Sequence, residues 1–200
     1  MEPNTERIDL KPGNVLYPLP AVMVSCGDMG GETNIITIAW TGTTCSDPPM
    51  VYISVQPKRH SFEMIRSTGE FVINLVTEEL ARAMDFCGVR SGRDTDKWKA
   101  CGLTPLPGKT VRCPIIAESP VSIECRVVSD TNLGSHHMFL ASVTAVRVDG
   151  QYMSKRGALD FDAMHLVAYN HGSYNRLGKK LGTFGYSVKK RASKKKREQK

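Results

Sequence analysis

The 200 residues contain no apolar run near the roughly 20 residues that a membrane-spanning helix needs. No secretory leader is read at the start either, because Met1–Asn14 is polar and carries both charge signs. A cytoplasmic chain with no membrane partner is therefore expected. The sequence has no C-x-x-C pair. Its cysteines (Cys26, Cys45, Cys87, Cys101, Cys113, Cys125) are too scattered for a zinc site, so they are read as free thiols, mostly core filling, and no metal is expected. No G-x-G-x-x-G opens a helix after a strand, which argues against a Rossmann domain. Gly178–Gly182 lacks the P-loop spacing, and the absence of G-x-S-x-G leaves a serine hydrolase without a foothold.

A net charge is also missing from the body of the chain. Residues 189–200 hold eight Lys/Arg and one Glu, while residues 1–188 hold 19 of each sign. The net charge of +7 is thus a property of the tail. This predicts a domain over 1–188 and a basic disordered tail over 189–200. The tail can touch RNA or another anionic surface through phosphate neutralisation, but no aromatic residue is interleaved for base stacking. A solvated tail is the expectation.

What is present is β-rich. Ala21–Ser25 and Asn34–Thr41 flank Gly27–Gly31 and read as a hairpin, and Met50–Val55 follows the Asp47-Pro48-Pro49 break. Ser61 is expected to cap a short helix that Gly69 closes, and Phe71–Val76 is the next strand. A second helix is expected from Thr77, with Glu78 and Glu79 in its first turn and Gly88 as its stop. Asp94–Ala100 reads as a third. Val121–Ser129 and Met138–Val148 form a long hairpin, and Leu166–Val188 has no clear period. Many short strands with short helices between them predict a mainly β protein, a β-barrel with helical insertions.

Two carboxylate pairs, Asp94/Asp96 and Asp160/Asp162, sit at turn and cap positions and read as local structure. The adjacent His136 and His137 point to opposite faces if they lie in a strand, which argues against a shared metal ligand site. One segment is unusually polar for a strand end: Asn34, Thr37, Trp40, Thr41, Thr43, Thr44, Cys45 and Ser46. It fits either a ligand groove with an aromatic wall or an edge strand with hydroxyls in water, and composition leaves both open.

The blocks NIITIAWTGTTCSDPPMVYISVQPKRHSFEMI, FVINL, CGVRSGRDTDKW, SPVSIECRV, LGSHHMFLASV and LVAYNHGSYNRLGKKLGTFGYSVKK, in that order, resemble the flavoredoxin branch of the flavin-reductase-like family. The likeness runs from about Val15 to Lys190. It implies an FMN-binding split barrel and a homodimer whose flavin sites lie near the subunit interface. Carried over by position, it puts Asn34 and Trp40 beside the first groove strand and Ser61 at the FMN phosphate. Lys97 falls at the phosphate or ring, His136 beside the ring, and Tyr169 at an aromatic position often held by Phe. Arg59 and the amide groups of the Ser61 helix would add positive charge for the phosphate. Trp40 and Tyr169 would offer flat surfaces, and His136 a donor to the reduced ring. Thr41, Thr43 and Ser46 would supply polar contacts in the groove. Cys45 has two readings, an electron relay or a small packing residue, and the lack of a nearby second thiol favours packing.

The implied activity is an oxidoreductase that takes electrons from NAD(P)H or a redox protein. The alternatives are a non-catalytic FMN carrier, a ferric reductase at the same site, or a basic-tailed binding protein using the barrel as scaffold.

Overall fold

The structure, a computed structural model, describes residues 6–189, so the expected basic tail lies, apart from Lys189, outside the described residues. The chain runs β1 (Leu19–Pro20), β2 (Val22–Gly27), β3 (Thr33–Ile38), β4 (Thr41–Ser46), β5 (Pro49–Val55), α1 (His60–Thr68), β6 (Glu70–Leu75), α2 (Ala81–Val89) and α3 (Lys97–Cys101). It continues through β7 (Pro105–Pro107), β8 (Pro114–Ile116), β9 (Val121–Asn132), β10 (His137–Val148), β11 (Val167–Asn170) and β12 (Ser173–Arg176).

Seven strands form one antiparallel sheet in the order β3-β2-β6-β9-β10-β5-β4. Its two edge strands, β3 and β4, follow one another in sequence. The chain crosses from one edge to the other at Ala39-Trp40, where the Ser54 amide donates to the Trp40 carbonyl at 2.9 Å. This is why the single strand expected over Asn34–Thr41 is broken in two. Register shifts between Leu140 and Ala141 and between Val143 and Ala145 add the local bends that curl a sheet.

Alternation on β2 sends side chains to two cores. Val22, Val24 and Cys26 enter the barrel interior with Ile53, Phe71 and Phe139, and Phe62 and Ile65 of α1 plug it. Ala21 and Met23 face outward, where Met84 and Cys87 of α2 and Val167 of β11 cover them with Ile35 and Ile116. Each fully buried Val, Ile, Met or Phe among them contributes about 1.5–3 kcal/mol. The strand is buried on both faces, so Val22, Met23 and Val24 are all apolar, and the buried Ser25 that follows them gives its hydroxyl to the Pro114 carbonyl at 2.5 Å.

Local expectations fail where a tertiary partner is stronger. Arg59, not Ser61, is the N-cap of α1, because Ser61 is already helical and its hydroxyl is turned to Asn34. Gly69 closes α1 in the left-handed region at φ 67°. Thr77 does not open a helix; it makes a β-bridge to Leu166, and α2 starts only at Ala81. Glu78 instead pairs with Arg176 at 2.8 Å. Gly88 lies inside α2 and is there for close approach, since a Cβ on it would stand 3.1 Å from the Thr37 Cβ.

Candidate functional site

Where α2 lies against the outer end of β3, two cavities meet. One, of ≈ 370 Å³, is bordered by Trp40, His136, Tyr17, Tyr169, Tyr174 and Asp85, with Thr37, Ser54 and Gln56 adding polar atoms. The other, of ≈ 210 Å³, is bordered by Lys58, Arg59, Arg90, Arg93 and Lys97 together with Asn34, Ser61 and Gly92. Ile36, Arg59, Gly88 and Val89 border both, so the two form one cleft with an aromatic end and a cationic end.

The cationic end is built from the start of α1 and the loop after α2. His60 and Ser61 line it, and the first amides of a helix have no intrahelical acceptor and carry partial positive charge. The buried Asn34 donates from Nδ2 to Ser61 Oγ at 2.8 Å, which locks β3 to α1. Gly92 is packed against this pair: a Cβ there would come within 2.3 Å of Asn34 Oδ1. Arg93 is steadied by donation from Nη1 to the Lys58 carbonyl at 3.3 Å.

Lys97 is only 4% exposed. Its Nζ donates to the carbonyls of Ile35 at 2.7 Å and Cys87 at 2.8 Å, tying α3 to both β3 and the last turn of α2. Burial holds its pKa below the usual lysine value, against the pull of the neighbouring Cys87 and Cys26 sulfurs. Two of its three N–H bonds are thus committed to backbone, one of them to a carbonyl of a helix end.

At the aromatic end His136 is stacked on Trp40, ring centroids 4.5 Å apart and planes at 39°. Burial, with Arg59 and Lys58 nearby, lowers the His136 pKa and favours the neutral imidazole; Nδ1 is 2.9 Å from Ser135 Oγ. Tyr169 packs between Tyr17 (5.7 Å) and Tyr174 (5.8 Å). Tyr174 donates to Asp85 Oδ1 at 3.0 Å, and burial together with that carboxylate pushes the phenol up to about 12.

Among the residues singled out from sequence, Asn34, Trp40, Arg59, Ser61, Lys97, His136 and Tyr169 border the cleft. The β4 residues do not border either cavity. Thr41 is buried and gives its hydroxyl to the Tyr52 carbonyl at 2.7 Å, Cys45 donates to the Asp47 carbonyl at 3.3 Å, and Thr43 and Ser46 are exposed. The groove expected over Thr41–Ser46 is displaced because the chain turns at Trp40 and follows the sheet edge away, at about 3.3 Å per residue. Cys45 accordingly has no place beside the cleft, which removes the geometric ground for a relay there. Sequence reasoning missed Tyr17, Asp85, Gly88, Arg90, Gly92, Arg93 and Tyr174. The Arg-Ser-Gly-Arg run at 90–93 carried the signal, two cations around a glycine. Among the described residues no three His, Cys, Asp or Glu side chains come together as a metal site requires.

The family model described as flavin reductase like domain matches residues 15–178. An uncharacterized protein of Pyrococcus abyssi is 33% identical over 131 residues, which are 66% of this chain and 74% of that protein. The structure of flavoredoxin from Desulfovibrio vulgaris (Miyazaki F) superposes with a TM-score of 0.84 at 27% identity, covering 92% of this chain and 100% of that one. Flavoredoxin from Methanosarcina acetivorans gives 0.83 at 25% identity, with the same shares covered.

Proposed function

Because this chain belongs to the flavin reductase like domain family, with its split-barrel fold and flavin-linked redox function, we propose that FMN is its cofactor and that it is an oxidoreductase reduced by NAD(P)H or a redox protein. The observation that carries this reading is the continuity of a cationic and an aromatic cavity through Ile36, Arg59, Gly88 and Val89. A phosphate needs charge and donors at one end, and a flat heterocycle needs aromatic walls at the other.

The donor set fits the group. Lys58, Arg59, Arg93, the remaining N–H of Lys97 and the first turn of α1 would hold the phosphate, with the Asn34–Ser61 pair fixing the helix that presents it. Trp40, His136 and Tyr169 would wall the ring. FMN bound there supplies two-electron chemistry. His136, kept neutral, donates a hydrogen bond rather than a full charge to whatever lies against it. Asp85 keeps its carboxylate occupied by the Tyr174 hydroxyl, so a proton is held at Tyr174 Oη across the neutral range.

The test is optical. Purified protein is expected to show flavin absorbance, which anaerobic NADH or NADPH bleaches. Bound flavin that neither nicotinamide bleaches would replace the enzyme with an electron carrier. Protein that takes up no FMN overturns the cofactor assignment.

A second copy of the chain completes the proposal. The N-terminal arm borders the cleft through Asn14 and Tyr17 and leaves Val15 and Leu16 exposed, as are Leu181 and Phe184 near the other end. An apolar arm beside an open cleft, with further exposed apolar residues, suits a C2 homodimer, the commonest closed assembly. Light scattering is expected to give twice the chain mass; a monomer with full FMN content would count against it.

A further inference from the structure

Cys87 near the end of α2 and Cys101 at the end of α3 have their sulfurs 3.9 Å apart. A disulfide needs about 2.05 Å, so the two must close by roughly 2 Å. A buried ammonium stands beside them. Lys97 lies one helical turn before Cys101 and bonds the Cys87 carbonyl at 2.8 Å, while its own side chain lines the cationic end of the cleft. The mechanism above uses neither sulfur.

We propose that Cys87 and Cys101 are a redox dithiol built into the cationic end of the cleft, which a hydroperoxide closes to a disulfide and which then loosens the site's hold on a phosphate. The half-buried Cys101 is the point of attack, since Cys87 is buried and burial pushes its thiol up to about 12. The Cys101 thiolate attacks one oxygen of the peroxide and the O–O bond breaks, leaving a sulfenic acid and, with one proton taken up, water. The Cys87 sulfur then attacks the Cys101 sulfur. The S–O bond breaks, and hydroxide leaves with the Cys87 proton as a second water. Two thiols lose two electrons and one hydrogen peroxide becomes two waters. Drawing α3 against α2 takes Lys97 Nζ and the Cys87 carbonyl out of register, and both residues border the cationic end of the cleft.

The sulfur chemistry stands alone, whereas the effect on phosphate rests on the FMN reading above. The full-length protein is treated with hydrogen peroxide and mapped with trypsin without reduction. Peptides 83–90 and 100–109 are expected to be joined, and in Cys101→Ser or Cys101→Ala, with an unchanged melting curve, they are not. Oxidised wild type should bind FMN about tenfold more weakly than reduced, the size of one lost charge-assisted hydrogen bond, and dithiothreitol should restore it. Failure to join these peptides, or joining spread over other cysteine pairs, overturns the dithiol. Joined peptides with unchanged FMN affinity overturn the coupling. A protein that joins them but binds no FMN even when reduced overturns the cofactor assignment and leaves the dithiol standing.

Discussion

Position 92 has room only for hydrogen. In Gly92→Ala the new methyl would meet the Asn34 carboxamide, and Asn34 would have to give up either its place or its bond to Ser61. A stability loss of about 1–3 kcal/mol is expected, as for overpacking of a well-filled interior. FMN affinity should fall more than riboflavin affinity, because the damage sits at the phosphate end; equal losses would move the phosphate elsewhere. His136 makes the complementary case. Its neutral ring beside Trp40 is placed to donate to charge that grows on reduction. His136→Ala should lower the two-electron midpoint potential by about 30 mV, roughly 1.4 kcal/mol, while oxidised FMN binding changes less. A redox titration beside a binding titration decides it. Individual residues such as Lys97 and Ser61 were legible as site candidates, but their partners were not. Ile35 is 62 positions from Lys97, and Asn34 is 27 from Ser61, so only the folded sheet brings them together. The same holds for Cys87 and Cys101, which sequence spacing alone left as separate core fillers.

Elements were legible where one periodicity ruled and obscure where the chain changed partners. The β9–β10 hairpin and the helix ending at Gly69 follow from alternation and a glycine. The break at Trp40 and the bridge at Thr77 do not, since the first answers to Ser54 of β5 and the second to Leu166, far away in sequence. A further long-range device pins the segment before β8 to the sheet. Glu124 of β9, with no exposed surface, accepts from the amides of Lys109 at 2.8 Å and Thr110 at 2.6 Å and from the Thr110 hydroxyl at 2.7 Å. Burial alone would raise its pKa, but these donors outweigh it and hold the carboxyl below 4.5. The folded-state value is depressed, so this stabilisation is fully present above 4.5 and is lost as pH falls through the folded value. In Glu124→Gln an NH2 group must replace one of two oxygens, each of which faces a backbone amide. The variant should lose about 1.5–3 kcal/mol at neutral pH and have a shallower fall of melting temperature on acidification. Parallel acid slopes for the two proteins would assign the acid sensitivity to other carboxylates.

On the scale of the whole molecule, charge and fold are separable. Among the described residues no helix is long and apolar enough to cross a membrane. The net charge of +7 belongs to residues 189–200, so their removal should bring the isoelectric point close to neutral with flavin content and melting temperature unchanged. Isoelectric focusing beside a flavin-to-protein ratio checks this, and loss of FMN on truncation would make the tail part of the site. The crossing at Trp40 has a different kind of consequence. The residue that joins the two sheet edges also walls the cleft, and its carbonyl holds the Ser54 amide. Opening the barrel and emptying the cleft are therefore linked equilibria: a ligand that holds Trp40 in place also suppresses local unfolding at the seam. Deuterium uptake at the Ser54 amide becomes a gauge of cleft occupancy, slowing as ligand saturates the site even though the amide itself touches only backbone.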